Sequence, residues 1–258
     1  MHDEAIPTVD ILGVDVASLT LSDALRHAER LYDSSDPGFV AHVNAHTLNL
    51  AWYEREYRAV LRRADLVLND GKGVMIAARI LGTRLQEDLN GNFFGPQLLR
   101  LAARRGWPTF FMGAAPGVAA DAATRLTTRI QGLKVVGTQD GYFADDGQAI
   151  AAVRAARPGL LLVGLGNPLQ ERWIDRCLPD TGARLAVGVG AFFDFVTGTV
   201  PRAPAWMNRV GLEWVHRLAL EPGRMWRRYI VGNPLFVVRV LRQRYVATYN
   251  PDRAAPPR

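Results

Sequence analysis

The sequence has 258 residues, 48% of them hydrophobic, which suffices for one large α/β domain or for a domain with an appendage. The single cysteine, Cys177, excludes an intramolecular disulfide framework and a cysteine-rich zinc site, and no window has the roughly 18–20 apolar residues of a spanning helix. The net charge is +6, and residues 198–258 alone carry eleven arginines against three carboxylates, a net +8.

Apolar runs alternate with segments of helical spacing from the amino terminus to about residue 197. Strands are predicted over residues 6–14 (one or two strands), 39–43, 65–68, 109–113, 133–137, 160–164 and 184–189, and helices over 21–32, 48–62, 74–81, 94–105, 114–130, 148–156 and 169–177. Such alternation predicts an α/β fold, a mostly parallel Rossmann-like sheet with helices on both faces. We expect a catalytic domain over residues 1–197 and a helical basic appendage over residues 198–258.

The predicted loops at the carboxyl ends of the strands are the candidate binding sites, because ligands of doubly wound sheets bind there. The loops at 113–117 and 164–170 are rich in glycine, and each opens a helix, which suits a nucleotide diphosphate. Leu169 stands where a third glycine of a dinucleotide fingerprint would fall, and there is no P-loop. Since tight turns also need glycine for steric reasons, both interpretations of these loops remain open.

Asp70 directly follows a predicted strand and precedes Gly71 and Gly73, which allow close approach of a substrate. Its carboxylate could act as the general base that deprotonates an acceptor hydroxyl, or it could cap the following helix. Lys72 could neutralise a phosphate or lie on the surface. Near the preceding strand, His42 and His46 flank Asn44 and could also contact a ligand.

Metal and cofactor sites are not expected. Asp145 and Asp146 follow a turn and precede Gly147, which is not a convincing setting for a metal-binding DxD motif, and no other cluster of histidine and carboxylate residues stands out. We therefore predict a reaction that needs neither a metal ion nor a cofactor.

The basic appendage also contains tryptophan and tyrosine, a composition typical of a membrane interface. A helix predicted from about residue 234 to 248 has an apolar stripe of Leu235, Val238, Leu241 and Tyr245, edged by Arg239, Arg242 and Arg244. Alternatively, the stripe could pack on the catalytic domain or on a second subunit, which would make a homo-oligomer. An arginine-rich solvated face would have the same charge.

Together these residues resemble the WecG/TagA/CpsF glycosyltransferases (glycosyltransferase family 26) over nearly the whole chain. The segments that carry the resemblance, in order, are Asn44-Ala45-His46 with Leu50-Ala51, Asp70-Gly71-Lys72-Gly73 with residues 78–82, Phe111-Met112-Gly113, Asp140-Gly141-Tyr142-Phe143, residues 164–174, residues 187–194, Gly198 with Arg202-Ala203-Pro204, and Gly211-Leu212-Glu213-Trp214 with Arg217 and Glu221-Pro222.

The resemblance implies an inverting transferase that uses a UDP-sugar donor and an undecaprenyl-diphosphate-linked acceptor in the synthesis of cell-surface polysaccharide. It implies that Asp70 is the general base and that the appendage closes the site on the anionic inner face of the cell membrane. The residues then expected at the substrates are Asn44, His46, Gly71, Lys72, Gly113, Gly164, Gly166, Asn167, Pro168, Gln170, Glu171, Asp194, Arg202 and Arg217.

Two departures from the family pattern concern the sugar pocket. Many relatives have threonine where this chain has His42, and many have an Arg-x-x-Gly-x-Asp segment where this chain reads Asp88-Leu89-Asn90-Gly91-Asn92-Phe93. These changes leave the donor open between N-acetylmannosaminyl, glucosyl or a related hexosyl group.

Two other classes of function fit the sequence less well. A nucleic-acid-binding regulator could use the basic tail, but no helix-turn-helix or aromatic RNP motif is present, so we expect no nucleic-acid partner. An NAD-dependent nucleotide-sugar enzyme would need the complete glycine fingerprint.

Overall fold

A computed structural model describes residues 6–201, 203, 204, 207 and 213–249, without the side chains of residues 213, 217, 224 and 249. Its strands are β1 Thr8–Ile11, β2 Val14–Ala17, β3 Gly38–Val43, β4 Leu66–Asn69, β5 Pro108–Gly113, β6 Lys134–Gln139, β7 Leu160–Gly164 and β8 Leu185–Gly188. Up to residue 197, the helices are α1 Leu21–Asp33, α2 Ala45–Tyr53, α3 Arg55–Arg63, α4 Lys72–Ile80, α5 Gly91–Arg105, α6 Val118–Arg129, α7 Asp146–Ala156, α8 Leu169–Thr181 and α9 Phe192–Thr197. The described appendage has α10 Glu213–Leu220, α11 Pro222–Trp226, a π-helical turn Arg227–Val231, and α12 Gly232–Tyr249.

Six strands form one parallel sheet in the order β4-β3-β8-β7-β5-β6, and β1 and β2 form a separate antiparallel hairpin. Because all six strands point the same way, the loops that follow them lie at one edge of the sheet. Strands β3 and β8 pair only as far as Val40 and Val187, so beyond these residues no backbone ladder joins the two strands. The predicted fold class is confirmed.

Strands β3, β4, β5, β7 and β8 bury side chains on both faces of the sheet, as expected where helices cover both faces, whereas the edge strand β6 has no fully buried residue. One core contains Ala41, Val43, Met112, Leu161 and Val163, and the other contains Val40, Leu68, Phe111, Leu162 and Val187. The alternation along the buried strands therefore supports two separate apolar layers.

The predicted helix over residues 48–62 is two helices. Glu54 lies between α2 and α3 with an extended backbone (φ −102°, ψ 99°), although its N–H still donates to the Leu50 carbonyl. The break lets α2 pack against α12 while α3 packs against α8. The apolar spacing continues across the break, so the sequence pattern did not reveal it.

Helix α12 packs on α2 and α4. Phe236 and Val240 are buried in the same core as the sheet residues, and Arg239 is buried with them. Val238, Leu241 and Tyr245 are exposed, as the predicted stripe requires, but Arg239 does not edge it on the surface. This placement of Arg239 corrects the prediction, because Arg239 faces α2 rather than solvent. No helix in the described part of the chain has the length and apolar character needed to cross a bilayer.

Candidate active site

Asp70 lies at the carboxyl edge of the sheet, where hydrogen bonds with the last residue of β3 and the residue after it hold it in place. Its N–H donates to the Val43 carbonyl at 2.7 Å, and Asn44 Nδ2 donates to its Oδ2 at 3.3 Å. Asn44 itself caps α2, since its Oδ1 accepts from the N–H groups of His46 and Thr47. Helix α4 begins after Gly71 without a side-chain cap, so Asp70 does not play the capping role that its sequence position allowed.

A second carboxylate, Asp88, lies close to Asp70 in the structure. Its Oδ1 accepts the Gly71 N–H at 3.0 Å and the Asn90 Nδ2 group at 3.4 Å. Sequence reasoning noted Asp88 only as part of a departure from the family pattern. Nothing in the local sequence indicates that it contacts the backbone next to Asp70, 17 residues away.

His42 is buried between β3 and β8, where the backbone pairing of the two strands has ended. Its Nδ1 donates to the Gly188 carbonyl at 2.9 Å, and its ring packs beside Phe94. Its Nε2 is buried without a hydrogen-bond partner among the described residues. Burial lowers the pKa of His42, and the nearby Asp70 carboxylate acts in the opposite direction.

His46 lies in the first turn of α2, where the appendage approaches the site. Burial, together with the smaller effect of the Arg228 charge in the π-helical turn, lowers the pKa of His46 to about 4. His46 is therefore neutral at physiological pH, and a guanidinium group from the appendage lies near the end of the helix that supports Asp70.

The glycine loops after β5 and β7 approach each other closely. A Cβ atom at Gly113 would lie 2.4 Å from the carbonyl group of Gly164, and the N–H of Ala114 donates to that carbonyl at 3.0 Å. By contrast, Gly166 and Gly190 have positive φ and face open space, because added Cβ atoms there would meet nothing within 4 Å. The backbone at Gly166, in the loop after β7, and at Gly190, in the loop after β8, is thus accessible to a ligand.

Four helices that start at this edge have no side-chain cap, namely α4, α6, α8 and α9. Uncapped helix N-termini present backbone N–H groups and a positive dipole end, both of which favour an anion. These N-termini lie at the same edge of the sheet as Asp70 and the loop at residues 164–168.

Gln170 and Glu171 are buried, with 1% and 0% of their surfaces exposed, so neither side chain is open to a ligand in this structure. Glu171 Oε1 accepts from Asn167 Nδ2 at 2.5 Å and from Gln170 Nε2 at 2.7 Å, and Oε2 accepts from the Tyr57 hydroxyl at 3.1 Å. Gln170 Oε1 accepts the Gly190 N–H at 2.9 Å. Burial raises the pKa of Glu171 to about 7, although the hydrogen bonds from Gln170, Asn167 and Tyr57 oppose the increase.

The remaining predicted residues lie at the starts of helices or outside the described residues. Lys72 is the first residue of α4 and is exposed. Pro168 directly precedes α8, and Asp194 lies in the first turn of α9, after β8. Arg202 lies outside the described residues, and only the backbone of Arg217 is described, in α10.

Other features of the described residues do not offer a rival site. One surface groove of about 450 Å³ lies between α1 and α5, and another of about 350 Å³ lies at the amino ends of the strands. No predicted site residue lines either groove. No group of three or more His, Cys, Asp or Glu residues in the described part could hold a metal ion.

Comparison with known proteins places the chain among bacterial transferases. It is 33% identical over 236 residues to an N-acetylglucosaminyldiphosphoundecaprenol N-acetyl-beta-D-mannosaminyltransferase of Bacillus spizizenii strain W23, which covers 91% of each chain. It is 30% identical over 237 residues to the enzyme of the same name from Bacillus subtilis strain 168, which covers 92% of each chain. The sequence model described as the glycosyl transferase WecG/TagA/CpsF family matches residues 9–249, and the chain therefore belongs to this family of glycosyltransferases.

Proposed function

We propose that this enzyme transfers a hexosyl unit from a UDP-sugar to a saccharide linked to polyprenyl diphosphate, with inversion at the anomeric carbon and without a metal ion. The observation that carries the proposal is the position of Asp70, whose carboxylate caps no helix and lies at the sheet edge where uncapped helices begin.

On the acceptor side, Asp70 is the general base. Its carboxylate takes the proton of the acceptor hydroxyl while the hydroxyl oxygen attacks the anomeric carbon. The bond between that carbon and the phosphate oxygen breaks on the opposite face, and UDP leaves with the electron pair. Asn44 holds the carboxylate through Oδ2, which leaves Oδ1 for the substrate.

On the donor side, the leaving diphosphate needs positive charge or hydrogen-bond donors. The accessible backbone of the loop at residues 164–168 and the N-terminus of α8 supply donors, and Arg202 or Arg217 of the appendage supplies charge. These groups take the place that a metal ion has in other transferases, so we expect turnover to be insensitive to a chelator.

The names of the two Bacillus relatives support N-acetylglucosaminyldiphosphoundecaprenol as the acceptor class and an N-acetylmannosaminyl donor group. The departures at His42 and at residues 88–93 concern the sugar pocket. For this reason the assay compares glucosyl and related donors with the N-acetylmannosaminyl donor.

The appendage is the proposed contact with the anionic inner face of the cell membrane, where the lipid-linked acceptor lies. The exposed apolar side chains of Ile230, Val231, Val238, Leu241 and Tyr245 lie on the π-helical turn and α12, within a segment of net charge +8. Basic residues near such a surface contribute about 1 kcal/mol each. A second copy of the chain is the alternative occupant of this surface, which light scattering at increasing protein concentration would reveal.

The test of the reaction is Asp70→Asn, assayed by UDP release from a panel of UDP-sugars with a polyprenyl-diphosphate-linked N-acetylglucosamine acceptor. The asparagine keeps the contact with Asn44 but cannot accept the proton, so we expect turnover to fall by about 10²- to 10⁴-fold while UDP binding is unchanged. Asp65→Asn is the matched control, because Asp65 is an exposed carboxylate at the amino end of the same strand. Near-normal turnover by the Asp70 variant would refute the assignment of the base.

A further inference from the structure

Glu171 is a fully buried carboxyl group under the loop that the proposed function assigns to the donor diphosphate. Each of its three side-chain partners, Asn167, Gln170 and Tyr57, donates a hydrogen bond to it. Burying a carboxylate is costly unless it is fully hydrogen-bonded. We therefore expect the Glu171 carboxylate to have a function that an apolar side chain of similar size could not have.

The partners show what that role is. A side-chain amide has one donor end and one acceptor end, and an ionised carboxylate only accepts. Glu171 therefore turns the amide nitrogens of Asn167 and Gln170 toward itself and their oxygens away. The oxygen of Gln170 in turn accepts the N–H of Gly190, which lies in the loop after β8.

We propose that Glu171 is a positioning residue that sets the amide orientation of Asn167 and Gln170 and so holds the loop after β7 at a fixed distance from the loop after β8. The inference rests on the proposed function, since the crevice between these loops is where the donor diphosphate is placed. Glu171 acts through the two amides and does not itself contact the substrate.

The charge of Glu171 matters because hydrogen bonds to an ionised acceptor are about twice as strong as neutral ones. The titratable and charged groups around it are Tyr57 on α3, Arg172 on its own helix, and Glu54 between α2 and α3, which forms an ion pair with Arg172. With burial raising the pKa of Glu171 to about 7, the carboxylate holds the amides most strongly above that pH. A proton on Oε2 would leave the Tyr57 hydroxyl without its acceptor.

Ionisation of Glu171 strengthens the hold on the amides but lowers the folding stability. The pKa in the folded chain lies above the ordinary 4.5, so this group's contribution to stability is present below pH 4.5 and is lost as pH rises to about 7. A loss of activity below pH 7 that comes from Glu171 is thus distinguishable from acid unfolding.

The variant for the test is Glu171→Gln, because glutamine has the same shape but cannot accept all three hydrogen bonds. Asp175→Asn is the matched control. Asp175 lies on the same helix and also accepts from α3, through two contacts of 2.7 Å from Arg63, but it belongs to a pair on the surface. We expect kcat/KM for the UDP-sugar to fall by about 10- to 100-fold in the Glu171 variant and to lose its dependence on pH near 7, while the control resembles the unsubstituted enzyme.

Hydrogen exchange of residues 188–191 provides a readout that does not depend on the reaction. In Glu171→Gln the Gly190 N–H should exchange about five- to tenfold faster, because the neutral oxygen of glutamine holds the amide of Gln170 less strongly than the carboxylate does. Tyr57→Phe keeps the ring and removes one donor, so it should change both readouts in the same direction by less.

Unchanged exchange and kcat/KM in either folded variant would overturn the role of Glu171. If the unsubstituted protein neither binds UDP nor releases it from any donor, the proposed function fails. The exchange comparison would then still decide whether Glu171 positions the two loops.

Discussion

Arg239 joins the appendage to the catalytic part of the chain, and its removal should loosen α12 specifically. Its guanidinium is buried with 6% exposure and donates to Asn49 Oδ1 at 2.6 Å, and it lies 4.0 Å from the centre of the Tyr53 ring. Asn49 also donates to the Gly232 carbonyl at 2.8 Å, so the two residues fasten both the start and the middle of α12 to α2.

The size of the expected change in the free energy of opening of α12 follows from these contacts. A hydrogen bond from a charged donor contributes about 1.5–3 kcal/mol, and a cation–π contact at an exposed ring about 0.5–1 kcal/mol. Since such contributions are not additive, Arg239→Ala should make the opening of α12 about 2–3 kcal/mol easier, or roughly 30- to 150-fold. Other anchors remain in this variant: Phe236 and Val240 stay buried, Gln243 accepts the Leu12 N–H and donates to Asp10, and Arg244 donates to the Leu81 carbonyl.

The assay is native-state hydrogen exchange, which resolves local from global opening. Amides of α12 should exchange faster by that factor in Arg239→Ala, while amides of β7 in the centre of the sheet should change little. Arg242→Ala is the control, an exposed arginine three residues along the same helix, for which a change of less than about threefold is expected. Equal protection in the two variants would refute the anchoring role of Arg239.

Three further predictions test the glycine loops, the histidine at the site and the exposed face of the appendage. Gly113→Ala should destabilise the fold more than Gly117→Ala in chemical denaturation: both have positive φ, which costs about 1–2 kcal/mol for alanine, but only at Gly113 would a Cβ lie 2.4 Å from backbone atoms. Equal losses would contradict the close approach of the loops. Because burial lowers the pKa of His46 to about 4, the unfolded chain takes up this proton first, so its share of stability is complete above pH 6.5 and is lost as pH falls toward 4. His46→Gln should flatten that part of the stability curve, and an unchanged slope would exclude this cause. Leu241→Glu, at an exposed position, should reduce co-sedimentation with anionic vesicles without changing the thermal unfolding temperature, and undiminished sedimentation would show that this face does not bind the membrane.

The sequence by itself determined the features that depend on neighbours along the chain. Apolar runs and helical spacing identified the strands and helices of the parallel sheet, and this fold class and the family resemblance are both confirmed. The parallel arrangement also brings the strand-end loops to one edge, so the sequence alone placed Asp70 and the loop at residues 164–171 at the same edge of the sheet.

Only the tertiary structure decided which polar groups meet inside that edge. Tyr57 donates to Glu171 across 114 residues, His42 donates to Gly188 across 146, and Arg239 donates to Asn49 across 190. Periodicity shows which face of an element is apolar, but a buried polar side chain is stable only where a partner of the right kind lies within about 3 Å, and that distance depends on how whole elements pack. For this reason Arg239 is predicted at the surface from its own helix and is buried in the structure.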